Sequence, residues 1–148
     1  MSTFIPVNFD DAVEPQPLPV GRYPVQITEA KLGESGPNAK NPGAPQLIVT
    51  IGFTGNTREE QNAPTIRHYI SLPSEMDDPK SANFKALLLK RFLVAFNVPF
   101  QANGIDTDQI IFDMVGREAN LEVELQEPDS NGNVYNRVRI PRIPGEKR

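Results

Sequence analysis

The chain has 148 residues, no cysteine and a formal net charge of −4. This length fits one domain with a core of its own, and the lack of cysteine excludes disulfide bonds and thiolate metal sites. The acidic balance disfavours a strong, chain-wide attraction to nucleic acid, although the distribution of charge matters more than its sum. No secretory signal or apolar run of the ~20 residues that span a bilayer is visible, so we expect no membrane association and a reducing cytoplasm.

Residues 1–20 are predicted to form an extended arm. Its acidic residues lie within 10–14, and three prolines at alternate positions favour extended backbone that lacks ladder donors. Phe4 and Phe9 are the apolar side chains that we expect to anchor the arm on the domain surface.

Three segments with strand-like alternation follow, at residues 22–31, 46–53 and 65–72. In each segment one parity is mostly apolar, which predicts half-buried strands. Pro24 predicts an edge position or a bulge for the first strand, because proline cannot donate to a ladder. The connection at residues 32–45 is rich in turn formers and long for a hairpin, as functional or mobile loops often are.

One long amphipathic helix is predicted next, with Ser81 as its N-cap and an end near residue 97, ahead of Pro99. Its apolar stripe is predicted to pack on the core. The stripe consists of Phe84, Leu87, Leu88, Phe92, Ala95 and Phe96. Asp106 is predicted to cap a short second helical turn that ends near Gly116.

The last two predicted strands cover residues 119–125 and 133–140. Asn131 and Gly132 lie at the centre of the turn between them, and this dipeptide is a strong hairpin signal.

The order strand, strand, strand, helix, strand, strand is that of the oligonucleotide/oligosaccharide-binding (OB) barrel. We therefore predict an all-β fold with one main helix, a five-stranded OB barrel at residues 21–143 and a short tail at 144–148. In this fold the ligand crosses strands two and three, beneath loops that correspond here to residues 32–45 and 127–133. A β-sandwich is the alternative, although a single long helix in the middle fits it less well.

Basic and aromatic residues lie on the outward parity of several strands and in the first loop. Lysine and arginine neutralise phosphates, and flat rings stack on unpaired bases whatever the sequence. The candidate nucleic-acid-binding residues are Arg22, Lys31, Lys40, Arg67, Tyr69, Tyr135, Arg137 and Arg139. Arg67 and Tyr69 share one face of the third strand, which makes them the most specific candidates for ligand binding.

Two of these assignments have a structural alternative. Arg137 and Arg139 can instead pair with Glu122 and Glu124 across the last hairpin, which is a routine arrangement. Lys40 either belongs to a basic finger that closes on a bound strand or lies in an ordinary mobile connection.

No catalytic or metal-binding set stands out. His68 is the only histidine, and its apolar parity predicts a packed side chain, neither a ligand nor a base. Asp129, Asn131 and Asn133 resemble the start of a calcium loop, but the glutamate at its twelfth position is missing and the turn explains them. We expect no cofactor, no metal and no enzymatic activity.

The segments GRYPVQITEAKL, APQLIVTIGF, RHYISL, KALLLKRFLVAFNV, VGREANLEVELQE and GNVYNRVRIPRI resemble the small OB-fold single-stranded DNA-binding proteins of phage replication and recombination modules. The resemblance covers about residues 21–143. It implies sequence-independent binding of single-stranded DNA in the host cytoplasm, self-association, and partners among phage replication or recombination proteins. By position, it places Arg67 and Tyr69 on the ligand face, with Lys31 and Lys40 near the first loop.

The chain departs from this family at its end. Many members have an acidic C-terminal tail that recruits partners, whereas this sequence ends in the basic PRIPGEKR. The competing hypothesis is a protein-interaction or virion structural module with the same barrel and no nucleic-acid binding. Net acidity and the proline-rich arm favour that alternative, since such arms dock on neighbouring subunits.

Overall fold

The structure is a computed structural model that describes residues 2–39 and 42–146. Its regular elements are a 3₁₀ turn (Phe9–Asp11), β1 (Gly21–Glu34), β2 (Pro45–Phe53), α1 (Arg58–Asn62), β3 (Ile66–Ser71), α2 (Pro79–Ala95), α3 (Thr107–Met114), β4 (Glu118–Leu125) and β5 (Asn136–Arg139). Within these ranges, no helix combines the length and the apolar character needed to cross a membrane.

The five strands form one antiparallel sheet in the order β3-β2-β1-β4-β5. Its two outer strands, β3 and β5, lie beside each other, so the sheet curls into a nearly closed barrel. Both α2 and α3 connect β3 to β4, and α2 packs against β3 while α3 packs against β1. The predicted OB-like barrel with a helix between strands three and four is confirmed.

β1 is long because it pairs with two neighbours. Its first half pairs with β4, and its second half pairs with β2. The register slips between Ile27 and Glu29, so Thr28 is an extra residue that bulges and bends the strand. The ladder with β2 continues to Glu34, past the predicted end at residue 31, and the connection to β2 shortens to residues 35–44.

Pro24 has a different role from the predicted one. β1 is a central strand, and its bulge lies at Thr28. Pro24 sits just beyond the last β1–β2 pair, Val25 with Phe53, where its carbonyl accepts a hydrogen bond from the Thr54 N–H at 3.0 Å. Its missing N–H therefore costs no bond inside the ladder.

The core lies inside the barrel and under α2. Among its largest fully buried side chains are Phe92 and Phe96 of α2. His68 points inward as predicted and stacks on the Phe92 ring, with centroids 5.3 Å apart and planes 9° apart. Burial lowers the pKa of His68 from its ordinary value, which favours the neutral ring.

The predicted apolar stripe of α2 is only partly core. Leu89 and Leu93 are buried beside the two phenylalanines, whereas Phe84 and Leu88 of the predicted stripe face solvent. The helix therefore leaves apolar side chains in water on its outer side.

One of the two predicted helix N-caps differs from the N-cap in the structure. Asp78, not Ser81, caps α2: its Oδ1 accepts the Ser81 N–H at 2.7 Å, and Pro79 occupies the first turn. The predicted cap of α3 is confirmed, because Asp106 Oδ1 accepts the Gln109 N–H at 3.0 Å.

The turn between β4 and β5 is built by Asp129. Its Oδ1 accepts the N–H groups of Asn131 and Asn133 at 2.9 Å each. Of the Asn131–Gly132 pair only Gly132 has a positive φ, 79°, whereas a two-residue type I′ turn requires two such residues. The connection is accordingly longer than predicted, and β5 begins only at Asn136.

The arm is attached to the barrel by Leu18, which is buried. The Leu18 N–H donates to Asn136 Oδ1 at 2.7 Å, and Asn136 Nδ2 donates back to the Leu18 carbonyl at 2.9 Å. The hydroxyl of Tyr23 also donates to the Pro19 carbonyl at 2.8 Å. The predicted anchors Phe4 and Phe9 do not serve this purpose, because both are exposed.

Candidate nucleic-acid interface

One outer face of the barrel carries two cations, an aromatic ring and one carboxylate, that of Glu29. We call it the basic-aromatic face, and it consists of Glu29, Lys31, Ile48, Thr50, Arg67 and Tyr69. The register places Ile48 of β2 between Lys31 of β1 and Tyr69 of β3, and it places Thr50 beside Arg67. Because neighbouring strands lie about 4.8 Å apart, the Lys31 and Tyr69 backbones are about 10 Å from each other.

Tyr69 presents its ring to solvent. Its residue is 54% exposed, and its register partner Ile48 is half-buried. An added Cβ at Gly33 would lie 2.7 Å from the Ile48 Cδ1, so the absence of a side chain at Gly33 lets Ile48 lie flat towards β1. The result is a low apolar surface at Ile48 between the tyrosine of β3 and the lysine of β1.

The two cations of this face, Lys31 and Arg67, are unpaired among the described residues. Within residues 2–39 and 42–146, no hydrogen bond or ion pair engages the side chain of Arg67 or Lys31, and both residues are exposed. Glu29 lies in the same row as Arg67, but Thr50 of β2 stands between them. Both cations are therefore free to meet an anion from outside.

Three other predicted arginines lie on the outer surface of β1, β4 and β5, which adjoins β3 through β5 and which we call the charge-paired face. Arg137 binds Glu124 through Nη2 at 2.9 Å and Nε at 3.0 Å. Arg139 lies 3.7 Å from Glu122, and the register places Arg22 opposite Glu122 as well. Glu124 and Glu122 thus pair with Arg137 and Arg139, and the predicted cross-strand pairing of these two arginines is confirmed.

Tyr135 lies at one end of β3. It lines an open cleft of about 390 Å³ with Pro64, which shortly precedes β3, and with residues 14–17 of the arm. The Gln126 N–H donates to the Tyr135 carbonyl at 2.9 Å, which holds this part of the β4–β5 connection in place. The tyrosine is half exposed, so it lines this cleft while remaining open to solvent.

The other end of β3 meets the first loop. The Leu72 N–H donates to the Pro45 carbonyl at 3.0 Å, and the loop closes through the Ser35 N–H, which donates to the Ala44 carbonyl at 2.9 Å. Arg67 and Tyr69 therefore lie on a track along β3 that runs from the Tyr135 cleft to the base of the first loop. Lys40, the predicted basic residue of that loop, lies outside the described residues.

The structure thus divides the candidates into groups. Lys31, Arg67 and Tyr69 share the basic-aromatic face, and Tyr135 stands at the end of the same track. Arg22, Arg137 and Arg139 lie on the charge-paired face. Ile48 is the residue that sequence reasoning missed, although an apolar side chain on the polar parity of the second strand was a visible signal.

A metal site or a histidine-based site would require particular side chains among the described residues. No group of three or more His, Cys, Asp or Glu side chains within 2–39 and 42–146 is arranged to hold a metal ion. His68 lies on the inward side of β3, away from Arg67 and Tyr69.

A scan against protein-family models and a search of curated proteins find no match to this chain.

Proposed function

We propose that the protein binds single-stranded DNA without sequence preference and acts in phage DNA replication or recombination, with partners among the proteins of those processes. The binding site is the basic-aromatic face. The observation that carries the proposal is an exposed tyrosine ring, Tyr69, beside the unpaired Arg67 on β3. The face lies on the strands that OB barrels use for oligonucleotides, which supports the proposal further.

Ring stacking supplies most of the affinity in this account. Stacking one base on an aromatic side chain contributes about 1–3 kcal/mol and tolerates any base. Tyr69 and Tyr135 offer two such rings, one on β3 and one at the cleft where β3 begins. A strand that follows β3 would meet both of them, with the apolar surface at Ile48 between Tyr69 and Lys31.

The electrostatic part of the affinity is small. Each neutralised phosphate of a single strand contributes about 0.7 to the salt slope, so Lys31 and Arg67 together give a slope of about −1.4. Affinity then falls only about seven-fold between 50 and 200 mM salt. Such a small footprint needs only two cations and is therefore compatible with a net charge of −4.

Fluorescence anisotropy of labelled oligo-dT tests the proposal at these two salt concentrations. We expect micromolar or tighter binding, a modest salt slope, and weaker binding of a duplex of equal length because its bases are not free to stack. Equal affinity for the duplex, or no binding of oligo-dT at micromolar protein, would overturn it.

One observation favours the competing function, an interaction or virion module without nucleic-acid binding. The arm carries several apolar side chains in solvent, as a segment that docks on another protein does. A size measurement with and without oligo-dT separates the two functions. A stable oligomer that forms without DNA and has no affinity for oligo-dT supports the competing function.

A further inference from the structure

The start of the arm, residues 2–13, exposes large apolar side chains to solvent. Phe4 is 90% exposed and Phe9 is 79% exposed, and Ile5, Val7 and Val13 are also open to solvent. Apolar residues concentrated in this way mark a surface that another molecule covers.

A groove of matching character lies beside α2. It has a volume of about 430 Å³ and is enclosed by α2, by the end of β3 and by the connection between α2 and α3. Its walls are mostly apolar and include Leu72, Leu89, Leu93, Phe100 and Ile105. We call it the α2 groove.

The α2 groove has a basic border. Lys90 lines it directly, and α2 contains four basic residues and no acidic residue. Lys85 pairs with Asp77 at 2.7 Å and Arg91 pairs with Glu146, which leaves Lys80 and Lys90 without an ion pair among the described residues.

The arm has the opposite charge. Residues 1–20 contain Asp10, Asp11 and Glu14 and no lysine or arginine. These carboxylates directly follow the apolar residues 4–9, so an arm with its phenylalanines in the α2 groove would bring Asp10 to the border where Lys90 stands.

No described residue of the arm lines the α2 groove of its own chain. Residues 14–17 line the cleft beside Pro64, just before β3, whereas the groove lies beside Leu72, eight residues later and just after β3. That separation is about 26 Å at the rise of a strand. Asp10 is four residues from Glu14 and reaches at most about 14 Å from it, so while residues 14–17 line this cleft Asp10 stays short of the groove of its own chain.

We propose that the α2 groove binds the N-terminal arm of a second copy of this chain. Phe4 to Phe9 of one molecule occupy the groove of the other, and Asp10 pairs with Lys90 across the contact. The acidic character of the arm and the basic border of the groove set the direction in which the arm enters. This contact is independent of the basic-aromatic face.

Disulfide trapping tests the exchange directly, because a chain without cysteine forms only the introduced bond. One preparation carries Val7→Cys and the other carries Ala102→Cys, an exposed position that lines the groove. After mixing and mild oxidation we expect a cross-linked heterodimer as the main product. The control partner carries Phe112→Cys, which is exposed on α3 and does not line the groove.

The outcome decides between exchange and its alternatives. A heterodimer yield no higher than that of the Phe112→Cys control overturns the proposal. A further test uses one chain that carries both Val7→Cys and Ala102→Cys. If this chain forms an intramolecular disulfide at high dilution, while the mixed single variants form no heterodimer, the proposal is also overturned.

Sedimentation equilibrium tests the charge contact. We expect a dimer whose dissociation constant rises about two- to five-fold with Lys90→Glu, and returns towards the wild-type value when Asp10→Lys is added. A monomer at every concentration, or a dimer indifferent to Lys90→Glu and to Phe4→Ser with Phe9→Ser, overturns the proposal.

Discussion

At the scale of single residues, two outward-facing arginines differ in whether they are paired with a carboxylate. Arg67 and Arg137 both point outward from an edge of the sheet, yet Arg137 makes two close contacts with Glu124 and Arg67 makes none within the described residues. An arginine already paired with a carboxylate loses that contact when it turns to a phosphate. The unpaired one gains a partner at no such cost.

Tyr69→Ala should weaken oligo-dT binding by about 1–3 kcal/mol, the contribution of one stacked base. Tyr69→Phe keeps the ring and should stay close to wild type, which separates stacking from the loss of the hydroxyl. Anisotropy titration of the two variants gives the comparison. An equal loss in both variants would show that the hydroxyl, not the ring, makes the contact.

Arg67→Gln and Arg137→Gln make the same change of charge on different faces. We expect Arg67→Gln to reduce affinity and to lower the salt slope by about 0.7, since one phosphate contact is lost. Arg137→Gln should leave both quantities near their wild-type values. Titrations of oligo-dT over a series of salt concentrations measure the slopes, and indistinguishable slopes for the two variants would contradict the assignment of the faces.

At the scale of elements, Asn136 joins β5 to the arm. Its side chain satisfies both main-chain groups of Leu18 and also donates to the Glu124 carbonyl at 3.2 Å. Leu18 itself is buried, so these main-chain groups have little access to water once Asn136 is removed.

Asn136→Ala should destabilise the fold by about 1–3 kcal/mol, because buried polar groups are left without partners. Asn120→Ala, at an exposed position of β4, should change the free energy of unfolding by less than about 0.5 kcal/mol. Urea denaturation measures both. Equal stability of the two variants would show that the arm is not held by Asn136.

The C-terminal turn is held to α2 by the Arg91–Glu146 pair. Hydrogen bonds from Arg91 and from the Ile143 N–H lower the pKa of Glu146 from 4.5 to about 2. The carboxylate form is thus favoured in the folded state, so its contribution to stability is complete above the unfolded pKa and is lost as the pH falls from 4.5 towards 2.

Glu146→Gln should therefore lower stability at pH 6 and matter progressively less as the pH falls below 4.5. Asp77, whose pKa is lowered by the hydrogen bond from Lys85, adds acid sensitivity that both proteins keep. Urea midpoints of the variant and of the wild type over pH 2–6 reveal the difference. A gap that stays constant over this range would contradict the role of the Glu146 charge.

Local sequence patterns predict the existence of a helix or strand well, and its ends less well. Alternation identified all five strands, but hydrogen bonds across the hairpin extend β1 to Glu34, and the Asp129 turn delays β5 until Asn136. Ser81 is a good capping type, yet Asp78 is another, and Pro79 is well suited to the first turn that Asp78 opens. The choice between two possible ends or two possible capping residues depends on contacts with other segments, which a local sequence pattern does not contain.

At the scale of the whole molecule, the closed sheet explains what sequence could and could not predict about the site. Side-chain parity places Arg22 and Arg67 outside the barrel, and both are exposed. Parity does not say on which side of a closed barrel each of them lies. That depends on register, which places Arg22 opposite Glu122 and Arg67 opposite Thr50.

The same arrangement of strands explains how an acidic chain can present, among its described residues, two unpaired cations on one face. Glutamates concentrate on β4, where they face the arginines of β5, while β2 contains no charged residue between the cations of β1 and β3. The net charge of the chain therefore says little about the potential over the basic-aromatic face.

Ultraviolet cross-linking of bound oligo-dT, followed by mass spectrometry of the peptides, tests the central claim most directly. We predict that the oligonucleotide attaches to the peptide that contains Arg67 and Tyr69, and that Tyr69→Ala removes this product. Attachment confined to β4 and β5, or no attachment under conditions in which a known single-strand binder is labelled, would contradict the account.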